Sequence, residues 1–162
     1  MTATEFNKCV DLYSDGVYRF ILKNIRDEDK AKDIVQDSFE KMWLKNDIVE
    51  FDKCKSYLYT TAYHTMIDLI RREKKKANWD EVNEFDHTHT PSHYTGVKEI
   101  IDQAVSELSD VQRSVILLRD YEGYSYEQIS EMTNLSLSQV KVYIFRGRQV
   151  LKEKLGKFEE LL

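Results

Sequence analysis

The residues whose types and spacing could do chemistry fall in two stretches, both rich in cations interleaved with aromatics and amides. In LSLSQVKVYIFRGRQVLKEKL (135 to 155), Ser136, Ser138, Gln139, Lys141, Val142, Tyr143, Phe145, Arg146 and Arg148 follow one another over about four helical turns. Such side chains hydrogen-bond base edges and phosphates; they suit recognition rather than bond-making. In CKSYLYTTAYHTMIDLIRREKKK (54 to 76), His64, Asp68, Arg71 and Lys75 share one helical face, with Arg72 beside them, and the stretch closes on a basic run. A third group, His87, His89 and His93 in HTHTPSH, could chelate a metal. No acidic or cysteine partner stands at helical spacing around it, however, and a linker makes a poor preorganised site. The expectation is therefore no catalytic residue, no metal, no cofactor and no small-molecule substrate.

A net charge of -5 argues against a nucleic-acid partner only if the charge is evenly spread, and it is not. Residues 51 to 79 carry +4 and residues 136 to 162 carry +3, whereas 1 to 50, 80 to 97 and 98 to 135 carry -3, -4 and -5. The positive charge coincides with the two stretches above, and local patches govern contact with phosphates.

Helices must position these groups. In DIVQDSFEKMWLK (33 to 45), Ile34, Val35, Phe39, Met42 and Trp43 recur at spacings of three and four and predict an amphipathic helix with those residues inward. In 54 to 76 the inward stripe reads Leu58, Ala62, Thr65 and Leu69. The only proline, Pro91, lies in a polar stretch closed by Gly96, which predicts a flexible linker over 78 to 97. Beyond it the pattern Ser-x-x-Gln occurs at 109, 125 and 136; each serine can cap a helix while the glutamine returns a bond to the cap residue's amide. The last two boxes frame a two-turn helix, YEQISEMT, with Ile129 and Met132 inward, then a tight connection and a longer helix with Val140, Ile144, Gly147, Leu151 and Leu155 inward. That is helix-turn-helix geometry.

At 162 residues the chain makes one sizeable domain or two small ones. The fold class expected is all-α: two small helical domains, 1 to 77 and 98 to 162, joined by the linker, the second containing the helix-turn-helix. There is no run of about 18 apolar residues and no leader-like N-terminal order, which places the protein in the cytoplasm. Cys9 and Cys54 lack CxxC spacing and read as two reduced thiols.

In a helix-turn-helix the second helix enters the major groove N-terminus first, which gives the 136 to 148 stretch its task. The alternative is a solvated charged face on an ordinary bundle, which the agreement of caps, turn length and basic positions disfavours. The basic run at 71 to 76 is ambiguous by itself, since cations gather at helix C-termini for the macrodipole alone. Tyr57, Tyr59 and Tyr63 on the same helix add aromatic faces suited to base stacking.

With both halves in view the chain resembles an RNA polymerase sigma factor of the sigma-70 family, in the extracytoplasmic-function (ECF) group, over nearly its whole length. DIVQDSFEKMW resembles the helix that docks on core polymerase, FDKCKSYLYTTAYHTMIDLIRR the segment that melts and reads the −10 element, and the stretch from Leu108 to Leu155 the domain that reads the −35 element. The resemblance implies polymerase contacts at Asp33, Gln36, Asp37, Phe39 and Glu40. It implies −10 contacts at His64, Asp68, Arg71, Arg72 and Lys75, with His64 standing where the family commonly has asparagine. It implies −35 contacts at Ser136, Ser138, Gln139, Lys141, Val142, Tyr143, Phe145, Arg146 and Arg148. The loop from Lys45 to Lys55, which in the family holds a flipped base, is acidic here at Asp47, Glu50 and Asp52, and no pocket residue is assigned. Gly147 replaces the family's frequent alanine, which costs roughly 0.5 to 1 kcal/mol unless close packing requires it. The partners implied are core RNA polymerase, promoter DNA and an anti-sigma factor, in many family members membrane-bound. The rival reading is a stand-alone helix-turn-helix regulator on an inverted-repeat operator; it leaves DIVQDSF without a task.

Overall fold

The fold is known from a computed structural model that describes residues 1–79 and 96–159. Its described residues form helices and no strand, as an all-α chain requires. Helix α1 (Ala3–Ile25) starts at Thr2, whose hydroxyl accepts the Glu5 amide at 3.2 Å while the Glu5 carboxylate accepts the Thr2 amide at 2.9 Å. It ends at Arg26, which turns left-handed at φ 56°, and Asp27 then caps α2 (Glu28–Leu44) by accepting the Lys30 amide at 3.1 Å. A 3₁₀ turn at Phe51–Lys53 leads into α3 (Cys54–Trp79). Between these three helices Val17, Phe20, Ile21, Ile34, Met42, Leu58, Ala62 and Met66 are buried. Cys9 and Cys54 also meet there; burial first, and then the neighbouring Cys54 thiol, push the Cys9 thiol up to about 12.

The expected inward stripes need two corrections. Trp43 stands 42% exposed, while Ala31 and Ser38 take the buried places on α2. On α3, Thr65 and Leu69 are only half-buried, whereas Tyr59 and Tyr63 are buried and so are withdrawn from base stacking. The cause for Tyr59 is that α3 is covered on a second side: its ring lies 5.5 Å from Phe20 and 5.8 Å from Tyr124, and its hydroxyl donates to Glu122 at 2.8 Å. Gly16 makes room, since a Cβ there would come 2.6 Å from that hydroxyl.

The remaining helices are α4 (Val97–Ser106), α5 (Asp110–Ile116), α6 (Tyr126–Thr133) and α7 (Leu137–Glu159), with a π turn at Leu117–Tyr121 extending α5. Helix α3 thus runs two residues past the expected boundary at 77, and α4 begins inside the expected linker. The rest of that linker, with His87, His89, His93 and Pro91, lies outside the described residues. Val105, Val115, Leu117, Leu118, Ile129, Met132, Val140 and Ile144 continue the core on this side. Gly147 lets α7 close on α5: a Cβ there would collide with the Ile116 side chain and approach Gln112 Cβ to 3.6 Å. Close packing therefore accounts for the glycine.

Arg113 ties these helices together from inside. Its buried guanidinium donates to the carbonyls of Val105, Ser106 and Leu108 at 3.2, 2.9 and 2.7 Å, gathering acceptors at the end of α4 and just beyond it. It also reaches the Asn24 carbonyl at 3.0 Å, and Ser114 donates to the Asn24 side chain at 2.9 Å. Lys74 pairs with Asp110 at 3.0 Å, and Arg26 reaches Ser106 at 3.0 Å. The helices on either side of the linker thus share a polar seam, buried at Asn24, Arg113 and Ser114 and exposed at Lys74 and Arg26.

Candidate nucleic-acid interface

Helix α6 occupies the eight residues that its serine box and the following turn delimit. Ser125 accepts the Gln128 amide at 3.1 Å and donates its own amide to the Gln128 side chain at 2.8 Å. Asn134, at φ 61°, makes the left-handed turn, and the Ser136–Gln139 box (3.1 and 2.9 Å) starts α7. At Ser109 only the serine half forms, with the Gln112 amide at 3.3 Å. The turn between α6 and α7 is thus fixed by local hydrogen bonds, which also fixes which side of α7 faces outward.

That side carries the expected residues. Val140, Ile144 and Gly147 face the core, leaving Ser138, Gln139, Lys141, Val142, Phe145 and Arg146 exposed and Tyr143 half-buried. Ser136 and Gln139 have structural duties as well: the Gln139 carbonyl oxygen accepts the Ser136 amide, so its NH₂ group is the part left to meet an acceptor. Arg148 is turned aside by Asp120, which accepts from it at 2.6 and 3.3 Å. Lys141 and Arg146 have no ion-pair partner among the described residues. The unbonded amides at the start of α7 add partial positive charge on the same side.

On α3, Asp68, Arg71, Arg72 and Lys75 are exposed, and His64 is half-buried with its ring edge-on to Tyr63 at 5.2 Å. The spacing 64, 68, 71, 75 lines them along one side, as the sequence predicts. The adjacent Lys74 is directed to Asp110. Burial works to raise the Asp110 carboxyl, but Lys74 and Arg113 outweigh it and hold the group below the usual carboxylate range. Asp47, Glu50 and Asp52 are exposed in the loop ahead of α3. Among the described residues no group of three or more His, Cys, Asp or Glu could hold a metal, and no helix is long and apolar enough to cross a membrane.

A groove of about 660 Å³ opens between α1 and α2. Gln36, Phe39 and Glu40 line it, together with Phe6, Trp43 and Leu44. Phe6 packs edge-on against Trp43 at 5.0 Å and Phe39 at 6.2 Å, and Leu44 stands 80% exposed. Of the other expected contacts, Asp33 is exposed without lining the groove and Asp37 pairs with Lys41 at 2.9 Å. Sequence reasoning missed Phe6, Trp43 and Leu44. The available signal was Trp43 directly followed by Leu44 near the end of a helix whose stripe was already filled.

Two family models match the chain: Sigma-70 region 2 over residues 9–76, and Sigma-70, region 4 over residues 98–151. RNA polymerase sigma factor YlaC of Bacillus subtilis (strain 168) is 30% identical over 158 residues, covering 91% of this chain and 90% of that protein. ECF RNA polymerase sigma factor SigM of the same strain is 29% identical over 145 residues, covering 87% and 89%. The fold is similar to that of the sigma factor RpoE from Bartonella quintana, solved in complex with the anti-sigma factor NepR, with a TM-score of 0.80 at 24% identity over 95% of this chain and 98% of that one.

Proposed function

The chain belongs to the sigma-70 family of RNA polymerase sigma factors, and from that premise we propose a division of labour along it. As an ECF-type sigma factor it binds core RNA polymerase and brings it to promoter DNA. Residues 1–77 hold polymerase and open the −10 region, and residues 98–162 hold the −35 duplex. The chain is cytoplasmic and makes or breaks no bond itself. It acts by positioning polymerase and by trapping unstacked bases, offsetting the few kcal/mol that unstacking costs.

The observation that carries this reading is the outward side of α7, where Ser138, Gln139, Lys141, Val142, Phe145 and Arg146 are presented while Val140 and Ile144 anchor the helix. His64, Asp68, Arg71, Arg72 and Lys75 are the −10 set, and Gln36, Phe39 and Glu40 with Phe6, Trp43 and Leu44 the polymerase set; Asp33 and Asp37 flank it. A stand-alone regulator accounts for α6 and α7 but leaves that groove idle. The crystallised partner of RpoE supports a protein antagonist for this chain as well.

Run-off transcription tests the reading, with core polymerase on a pool of genomic fragments from the source organism, with and without the chain. Transcripts that appear only with the chain are expected. Their absence, together with failure to co-purify with core polymerase, would overturn it. Isolated chain should bind promoter duplex weakly, because its acidic segments repel phosphate; a nanomolar complex without polymerase counts against the proposal.

A further inference from the structure

Two of the side chains presented by α7 cannot hydrogen-bond at all. Val142 is 43% exposed and Phe145 is 63% exposed, among polar and cationic neighbours. At about 100° per residue, Val142 lies opposite the buried pair Val140 and Ile144 and so marks the middle of the outward side. Arg146 and Gln139 stand roughly 40° and 60° to one side of it, and Ser138 and Phe145 roughly 40° and 60° to the other. The central position of a recognition helix penetrates the groove most deeply, and here it carries two methyl groups.

Wherever an apolar side chain at that depth meets a base amide or carbonyl, that polar group loses its water without a compensating hydrogen bond. The major groove offers it one apolar feature, the C5-methyl group of thymine. We propose that Val142 and Phe145 read thymine methyl groups, so that the −35 element of promoters used by this protein has A·T pairs, with thymine facing the helix, at the two positions these side chains reach. Residues three apart rise about 4.5 Å along a helix, against about 3.4 Å per base step in duplex DNA. The two thymines therefore stand at adjacent or next-adjacent pairs. Lys141, Gln139 and Arg146 take the phosphates and polar base edges around them. The inference rests on the reading of α7 as the −35 helix and adds to it the chemical feature recognised.

The test uses full-length chain with core polymerase on a promoter recovered from the run-off experiment. Each thymine of the upstream element is replaced in turn by deoxyuridine, which deletes only the methyl group. Competition should show binding about three- to fourfold weaker at each of two positions, the effect of losing one buried methyl. In Val142→Ala one of these losses should disappear, and in Phe145→Ala the other, while Lys141→Ala keeps both. These outward positions leave the fold intact, checked by unchanged thermal unfolding. Deoxyuridine templates bound as tightly as thymine ones, or methyl effects that persist in both variants, would overturn the inference and leave the sigma-factor reading standing. A chain that directs no initiation overturns the reading and the inference together.

Discussion

Arg146 and Arg148 look interchangeable in sequence, but the fold treats them differently. Arg148 is bound to Asp120, which also raises its basicity above the ordinary value, whereas Arg146 has no such partner. Arg146→Ala should weaken promoter binding by holoenzyme roughly tenfold and lower the slope of log affinity against log salt by about one. Arg148→Ala should do less. Asp120→Ala should strengthen binding by releasing Arg148, and equal or weaker binding in a salt titration would contradict that role. Gly147 is a second case where local and tertiary reasoning diverge. Helix propensity favours Gly147→Ala by about 1 kcal/mol, yet the added methyl overlaps Ile116, and overpacking of this kind costs about 1 to 3 kcal/mol. Urea unfolding should show the variant less stable. Ile116→Val, which removes the obstructing Cδ1, should make the pair less costly than the sum of the single changes.

At the scale of elements, what was legible was what local hydrogen bonds determine. The limits of α6 and the start of α7 follow from serine boxes that close within three residues, so the sequence alone places them. The shared side of His64, Asp68, Arg71 and Lys75 on α3 likewise depends only on helical spacing. What was illegible depends on neighbours distant in sequence. Tyr59 passes for a stacking platform until α1 and the segment around Glu122 and Tyr124 are brought against it. Besides Asp110, the acceptors of Arg113 are main-chain carbonyls, which carry no residue-type signal. Trp43 reads as core because it satisfies the periodicity of α2, but Phe6 fills only part of the space beside it and leaves a groove. Exposed aromatic anchors of this sort dominate interfaces when a partner buries them. Trp43→Ala should therefore weaken binding of core polymerase by about tenfold or more, measured by competition for core. The salt slope of promoter binding by holoenzyme saturated with the variant should stay unchanged, because α7 is untouched.

At the scale of the whole molecule, the helices before and after the linker are joined through Asn24, Arg113, Ser114, Lys74 and Asp110. Asp110 is the titratable point of this seam, since it accepts from Lys74 at 3.0 Å and from Arg113 at 3.1 Å. Those cations hold its carboxyl below the ordinary value in the fold, so the folded state binds its proton less readily than the unfolded chain. A depressed carboxylate contributes stability that is complete above the unfolded value, near pH 4, and is lost as pH falls through the folded value. Replacing it with Asp110→Asn leaves Arg113, buried and charged, without its carboxylate, which should cost roughly 1 to 3 kcal/mol near neutrality. The difference in unfolding temperature between the native chain and this variant should stay constant from pH 7 to about pH 5 and close below about pH 4. If the difference did not narrow at all as pH fell below about 4, the contribution of Asp110 would lie in packing, and the ion pair between α3 and α5 would be only a surface contact.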